Sequence, residues 1–136
     1  MYYSHSALIL QGGTTLNFDP MIPIWLQVAT ALKREIVTGK IPPGGKLPGG
    51  RDLAIQYEIN PNTAARIYQE LEREGVCQTR RGLGTFVTEN EASIASLRRE
   101  MAEAALVRFT DELQGLGLSR QDGIRMLMEE EERQKC

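Results

Sequence analysis

The sequence is poor in the residues from which catalytic and metal sites are built. Its 136 residues include two cysteines and one histidine. Cys77 and Cys136 lie far apart, and His5 lies near the start of the chain. This argues against a disulfide framework and leaves too few ligands for a zinc site or a histidine-based triad. We therefore expect no metal, no cofactor and no enzymatic activity.

Long hydrophobic runs are also missing. The apolar stretch Ala7-Leu8-Ile9-Leu10 is too short to span a membrane or to form the core of a usual signal peptide. This predicts a cytoplasmic protein without a membrane partner. Residues 1–18 show no lasting helical or strand periodicity, so residues 1–20 are predicted to be a partly flexible leader of unassigned role.

The net charge of −2 is unevenly distributed. Residues 21–88 contain nine Lys and Arg against six Asp and Glu, a balance of +3. Residues 89–136 contain seven against eleven, a balance of −4, and Asp19 completes the total. A mildly basic segment beside an acidic tail suits a nucleic-acid binder whose affinity is local.

Three helices are predicted between residues 23 and 75. Apolar residues recur every three to four positions in a first helix that ends at Gly39. The breaker-rich residues 41–48 predict an extended connection. A short second helix starts near Gly50, and a third starts at Asn60-Pro61, where Asn60 suits the N-cap and Pro61 the first helical position. The short second helix, the turn and the third helix make a helix-turn-helix.

The outer face of the third helix presents Asn62, Thr63, Ala65 and Arg66. Small hydrogen-bonding side chains in the first turn, followed by an arginine, suit a helix that enters a DNA groove by its N-terminal end. Arg66 is the expected guanine reader. Asn62 and Thr63 suit phosphate, adenine or thymine, although Thr63 serves equally well as a structural residue. Taken alone, the segment also fits an ordinary capped surface helix.

Residues 76–80 and 85–88 predict two strands around a glycine-punctuated loop, which is typical of a wing. Arg80 and Arg81 suit phosphate or the minor groove, and Gly82 and Gly84 permit close approach of the backbone. A solvated turn is the alternative. Lys46, with Arg80 and Arg81, is assigned to electrostatic contact.

Beyond residue 88 an apolar stripe predicts a long amphipathic helix. The stretch Gly115-Leu116-Gly117-Leu118 ends it, and Ser119 with Asp122 resembles a capping box for a last helix. This hairpin has too few apolar residues for its own core, so its stripe is expected to pack against a second chain. The predicted dimer contacts are Ile94, Leu97, Met101, Ala105, Phe109, Leu113, Ile124 and Leu127. Packing against the winged domain of the same chain is the alternative.

The fold class predicted is α+β and mostly helical: a winged helix-turn-helix at residues 21–88, then a two-helix dimerisation hairpin at residues 89–136. The order of motifs resembles the GntR family of bacterial transcription regulators over residues 23–87. The Asn60-Pro61-Asn62-Thr63 helix start and the short tail resemble its YtrA subfamily. The matching motifs are Pro23-Ile24-Trp25-Leu26-Gln27, Ile36-Val37-Thr38-Gly39, Pro43-Gly44-Gly45-Lys46-Leu47-Pro48, Arg51-Asp52-Leu53-Ala54, Leu71-Glu72-Arg73-Glu74-Gly75 and Gly82-Leu83-Gly84-Thr85-Phe86-Val87.

The resemblance implies a homodimeric repressor that binds a palindromic operator in double-stranded DNA, often of a transporter operon. It also implies that Arg51 contacts phosphate or a base edge, for which a surface salt bridge is the alternative. The chain departs from the family at Gly49 and Gly50, where Ser and Glu are usual. Ala64 and Ala65 likewise replace a β-branched and a polar residue, which leaves more of the base reading to Asn62, Thr63 and Arg66.

Two questions stay open at the level of sequence. A winged-helix module that binds protein instead of DNA is the alternative function, and apolar exposure on the recognition face would favour it. The sequence names no small-molecule effector. Trp25, Met101 and Phe109 are candidate effector contacts, but they suit core positions better.

Overall fold

The computed structural model describes residues 6–9 and 15–135. It begins with two strands, β1 (Ser6–Ile9) and β2 (Thr15–Phe18), which pair antiparallel with Ser6 opposite Phe18. Both strands lie in the part of the sequence that shows no lasting strand periodicity. Four-residue strands are too short to show a lasting alternation, and their pairing depends on a partner that periodicity does not identify.

Three helices follow in the order that the sequence predicts. They are α1 (Ile24–Val37), α2 (Gly50–Tyr57) and α3 (Pro61–Arg73). The predicted stop at Gly39 is confirmed, because this glycine follows α1 with φ of 81°, a conformation that favours glycine. The start of α3 is also confirmed: Asn60 Oδ1 accepts a hydrogen bond from the Asn62 N–H at 2.7 Å, and Pro61 is the first helical residue.

The core of this domain lies where α3 packs against α1 and α2. α3 buries one face completely, and α1 and α2 contribute aliphatic side chains to the same core. The Tyr68 hydroxyl donates a hydrogen bond to the Pro48 carbonyl, which ties α3 to the connection between α1 and α2. The buried residues of the three helices are Val28, Ala29, Leu32, Ile36, Leu53, Ala54, Tyr57, Ala64, Ile67, Tyr68 and Leu71.

Burial keeps the ionisable groups of this core neutral. It raises the pKa of Tyr57 to about 12, with a smaller contribution from Glu35. It raises the pKa of the Cys77 thiol to about 11, with a smaller contribution from Glu72. The pKa of Tyr68 is also raised, mainly by burial. The thiol of Cys77 is therefore a packing group at neutral pH, as the sequence predicts for a buried strand residue.

After the wing, α4 (Glu91–Gly115) and α5 (Arg120–Gln134) complete the described chain. The protein consists of two compact units, which we call the first and the second unit, and the boundary between them falls between Leu97 and Arg98. Helix α4 therefore contributes to both units. The capping box predicted for α5 is confirmed: Ser119 and Asp122 exchange hydrogen bonds of 2.8 and 3.1 Å. These bonds hold the pKa of the Asp122 carboxyl below its usual range.

Within the second unit, α4 and α5 approach each other closely at Gly123. A Cβ at this position would lie 2.7 Å from Leu113 Cδ1 and 3.2 Å from Phe109 Cε2. Leu113 is buried by this approach, and Phe109 is half-buried. The glycine in α5 thus allows the two helices to pack with no side chain between them.

Three residues of the predicted dimer surface are buried within the single chain. Ile94, Leu97 and Leu113 are each about 7% exposed or less. Their side chains therefore offer little surface to a second chain, and Ile94 and Leu97 belong to the first unit. The sequence could not separate them from the other members of the stripe, because burial within a chain and burial between chains produce the same periodicity.

No helix in residues 15–135 is long and apolar enough to cross a membrane.

The cap of α3 provides the first prediction. Asn60→Ala leaves the first turn without the side-chain acceptor, and should lower the free energy of unfolding by about 1 kcal/mol in urea titrations. Asn60→Asp should cost less, since an oxygen acceptor remains. Asn62→Ala is the matched control: it removes an exposed amide from the same turn and should change stability by less than about 0.5 kcal/mol. Equal losses at positions 60 and 62 would contradict the capping role.

Candidate nucleic-acid interface

The turn before the recognition helix is set by an unusual backbone conformation. Glu58 has φ of 54° and ψ of 46°, and it is the one non-glycine residue with positive φ in the described chain. The Ile59 N–H donates to the Ala54 carbonyl at 2.9 Å, which closes the end of α2. The chain thereby reverses at Glu58 and reaches the N-cap of α3 within two residues. This conformation could not be predicted from the sequence, because glutamate is not a residue that usually takes the left-handed region.

The N-terminal half of α3 presents the side chains that the sequence predicts for its outer face. Asn62, Ala65 and Arg66 are exposed, and Thr63 is half-buried. Ala64 is completely buried, so it packs inward and cannot read a base. The polar surface at this end of the helix therefore consists of Asn62, Arg66 and the accessible part of Thr63.

Arg51 is exposed in the first turn of α2. Gly49 is the N-cap of this helix and makes no side-chain cap bond. Because glycine stands at position 49 in place of the usual serine, the start of α2 has no capping hydroxyl. Arg51 still lies in the first turn of this helix.

The wing consists of β3 (Cys77–Arg80) and β4 (Gly84–Val87), which pair antiparallel with Arg80 opposite Gly84. The predicted hairpin is confirmed. Its loop holds Arg81 and Leu83 exposed at either side of Gly82. Gly82 and Gly84 have φ of 78° and 119°, so both occupy backbone conformations that favour glycine.

The connection between α1 and α2 pairs with the free edge of β4. The Leu47 N–H donates to the Thr85 carbonyl at 2.8 Å, and the Val87 N–H donates to the Gly45 carbonyl at 2.8 Å. Lys46 lies opposite Phe86 in this pairing. The structure thus brings Lys46 to the wing. This contact could not be predicted from the sequence, because the two segments are distant in the chain.

The predicted DNA contacts share an electrostatic property. Within the described residues, no carboxylate lies within ion-pair distance of Lys46, Arg51, Arg66, Arg80 or Arg81. By contrast, three other basic residues of the first unit are paired. Lys33 binds Glu74 at 2.8 Å, Lys40 lies 3.6 Å from Glu35, and Arg73 pairs with Glu70. The alternative of a surface salt bridge for Arg51 is therefore not observed, and these five cations keep their charge available to a polyanion.

Two of these arginines lie over aromatic rings. The guanidinium carbon of Arg66 is 4.3 Å from the centroid of the Trp25 ring. That of Arg80 is 5.0 Å from the centroid of Phe86. Neither contact is predicted from the sequence. The Arg66 contact joins α1 to α3, and no local pattern connects residues so far apart.

Comparison with known proteins identifies the family. The family model of bacterial regulatory proteins, gntR family, matches residues 25–87. The HTH-type transcriptional regulator YhcF of Bacillus subtilis is 38% identical over 106 residues, which cover 78% of this chain and 88% of YhcF. The HTH-type transcriptional repressor YtrA of the same organism is 46% identical over 77 residues, which cover 55% of this chain and 59% of YtrA.

Solved structures agree with these relatives. A GntR family transcriptional regulator from Listeria monocytogenes has a TM-score of 0.76 and 35% identity, covering 82% of this chain and 98% of that one. The DNA-binding domain of AraR in complex with operator ORX1 has a TM-score of 0.50 and 30% identity, covering 54% of this chain and 93% of that one.

The chain belongs to the GntR family of bacterial transcription regulators. These are DNA-binding proteins and not enzymes, so the predicted family, the fold class and the expectation that the protein is not an enzyme are confirmed. The matched residues 25–87 contain the helix-turn-helix of α2 and α3 and the β3–β4 hairpin.

The backbone of the wing provides the second prediction. At Gly84 a new Cβ would lie 2.9 Å from Lys46 Cε, and φ of 119° is outside the left-handed region that other residues tolerate. Gly84→Ala should therefore cost about 1–3 kcal/mol in the free energy of unfolding. Gly82→Ala is the matched control, since its Cβ meets no atom within 4 Å and its φ is 78°. It should cost less, and a larger loss at Gly82 than at Gly84 in urea titrations would contradict this account of the wing.

Proposed function

We propose that the protein is a homodimeric repressor that binds a palindromic operator. The observation that supports specific DNA recognition is the polar N-terminal face of α3. It is flanked on α2 and the wing by cations that have no carboxylate partner within residues 6–9 and 15–135. Repression is proposed from the similarity to YtrA, which is a repressor and is 46% identical over the matched region.

In the proposed complex the N-terminal end of α3 enters the major groove. Arg66 reads guanine through its paired N–H donors, and Asn62 and Thr63 contact adenine, thymine or phosphate. Arg51 binds the phosphate backbone at the start of α2. Lys46, Arg80 and Arg81 provide the electrostatic contact of the wing, where Gly82 and Gly84 let the backbone approach the DNA; these contacts position the protein without specifying sequence.

The alternative, a winged helix that binds protein, is less well supported. A protein-binding face would expose large apolar side chains. Along α3, all of which is described, none of the exposed side chains is a large apolar one, and the large apolar residues exposed on α2 and the wing are the single residues Ile55 and Leu83. Two acidic residues lie near the C-terminal end of this helix. Glu70 pairs with Arg73, and the Glu72 carboxylate accepts a hydrogen bond from the Thr79 N–H at 2.8 Å.

The second unit supports the proposal of a dimer. A groove of about 370 Å³ lies between α4 and α5 and is lined by both apolar and polar side chains. Leu106, Val107, Ile124 and Leu127 line it and are each at least half exposed. An apolar surface of this kind is costly in water, and a second copy of the same hairpin would cover it.

The proposed dimer surface thus contains some of the residues predicted from the sequence, and it adds Leu106 and Val107. Ile124 and Leu127 are exposed in the groove, Phe109 is half-buried there, and Met101 and Ala105 lie on the same helix as Leu106 and Val107. Two-fold symmetry would pair two recognition helices, so the operator should be palindromic, with half-sites about one helical turn apart.

The third prediction concerns base reading by Arg66. Sites selected by the purified protein from a random DNA pool should yield a palindromic consensus. Arg66→Ala should then relax the preference at one base pair in each half-site by about 1–3 kcal/mol, because a bidentate contact to guanine is lost. The measurement is competitive binding to the consensus and to its single-base variants.

Arg73→Ala is the matched control for that measurement. Arg73 is exposed on the same helix, roughly two turns further along, and is paired with Glu70. Its removal takes away the same charge and should leave every base preference unchanged. A loss on Arg66→Ala that is shared equally by all sequences would make Arg66 a phosphate contact. No enrichment from the random pool would refute specific DNA recognition.

The fourth prediction concerns assembly. Leu106→Glu places a charge in the groove of the second unit and should lower the mass measured by light scattering from that of a dimer towards the 15.2 kDa of one chain. Leu116→Glu is the matched control, because Leu116 is 75% exposed in the turn between α4 and α5 and does not line the groove. A wild-type mass of 15.2 kDa at micromolar concentration, or dissociation by both variants alike, would contradict the proposed dimer surface.

A further inference from the structure

The contact between Arg66 and Trp25 joins the reading surface to a different helix. Trp25 is the second residue of α1 and the single tryptophan of the chain. Its ring is half-buried, and the Arg66 guanidinium carbon lies 4.3 Å from the ring centroid. α1 packs against α3 through buried side chains that include Val28 and Ala64. The ring is therefore held by a packed element, and Arg66 lies against a fixed surface.

The geometry of this contact leaves the arginine able to bind. A guanidinium group that lies over an aromatic face is attracted through that face, while its N–H donors point outwards in its own plane. In the described residues Arg66 has no carboxylate at ion-pair distance. Its charge and its donors thus remain available, although its position is restricted.

Arg73 on the same helix shows the contrast. Its guanidinium donates to the Glu70 carboxylate, so one of its N–H groups is already used and its charge is compensated. Both arginines are exposed on α3. One is held by an ion pair that competes with DNA, and the other is held by a ring that does not.

We propose that Trp25 is a positioning residue for base recognition: its ring holds the Arg66 side chain in place before DNA arrives. A free arginine loses rotamer entropy when it binds a base, and that loss weakens binding. Arg66 has already lost part of that freedom in the free protein. This inference rests on the proposed role of Arg66 as a base reader, and it adds a residue outside the helix-turn-helix to the determinants of specificity.

A structural role is the competing explanation, because Trp25 is also part of the junction between α1 and α3. The two roles differ in what they affect. A residue that only packs would alter stability and lower affinity for all DNA sequences together. Substitution of a positioning residue changes the discrimination at the base pair that Arg66 reads. The same substitution has no such effect when Arg66 has already been replaced by alanine.

The contact itself can be tested in the free protein. Since Trp25 is the single tryptophan, its fluorescence reports this site alone. Arg66→Ala should uncover the ring and raise its quenching by acrylamide, and Arg73→Ala should leave quenching unchanged. Equal quenching of the wild type and Arg66→Ala would overturn the proposal, whatever the DNA measurements give.

The positioning role is tested by a double-mutant cycle on a site selected from the random pool. Trp25→Leu should lower affinity for the consensus about three- to tenfold, with the loss concentrated at the base pair that Arg66→Ala relaxes. Trp25→Leu should cause no further loss in the Arg66→Ala background. Trp25→Phe keeps an aromatic face and should recover most of the affinity. Leu32→Ala, which removes buried side-chain atoms from α1 about two turns beyond Trp25, should lower stability without changing any base preference.

The outcomes separate this inference from the function it rests on. If Arg66→Ala relaxes no base preference, the proposed base-reading role of Arg66 fails. If Arg66→Ala relaxes one base pair but Trp25→Leu weakens all sequences equally, or weakens the Arg66→Ala protein just as much, then Arg66 reads the base and Trp25 is only a packing residue. Either result in the cycle overturns the positioning role.

Discussion

The burial of one face of α3 is the constraint on which the binding surface depends. Ala64, Ile67 and Leu71 are completely buried, and burying a large aliphatic side chain contributes about 1.5–3 kcal/mol. This packing fixes the rotation of the helix about its axis. Because one face is held against α1 and α2, the opposite face, with Asn62 and Arg66, must point to solvent. A change in that packing would turn the reading surface as well as weaken the domain.

The ion pairs of the first unit involve basic residues that are not predicted DNA contacts. Glu70 and Glu74 hold Arg73 and Lys33, which are not among the predicted DNA contacts. The predicted contacts have no such partner in the described residues and are exposed. Exposed ion pairs contribute little to stability, so leaving these cations unpaired costs the fold little. What it preserves is the positive charge that phosphate binding requires.

The hairpin of α4 and α5 shows which structural features hydrophobic periodicity predicts and which it does not. The pattern correctly predicts a long helix, a glycine-containing turn and a capped last helix. The same pattern does not distinguish Leu97 and Leu113 from Ile124. Leu97 and Leu113 are buried in the single chain, whereas Ile124 is half exposed. A hydrophobic stripe indicates that one face of a helix is buried. It does not say whether the same chain or another chain covers it.

The sequence by itself determined the helix-turn-helix, the wing and the family, because helix caps, breakers and apolar spacing are local signals that need no partner. It also placed Arg51, Arg66, Arg80 and Arg81 as candidate contacts. Only the tertiary structure decided that Lys46 joins the wing, that Glu58 makes the turn with a left-handed backbone, and that Trp25 lies under Arg66. Lys46 and Trp25 meet residues distant in the chain, and the Glu58 conformation is one that glutamate rarely adopts alone. Such features depend on how packed elements meet, which no local pattern records.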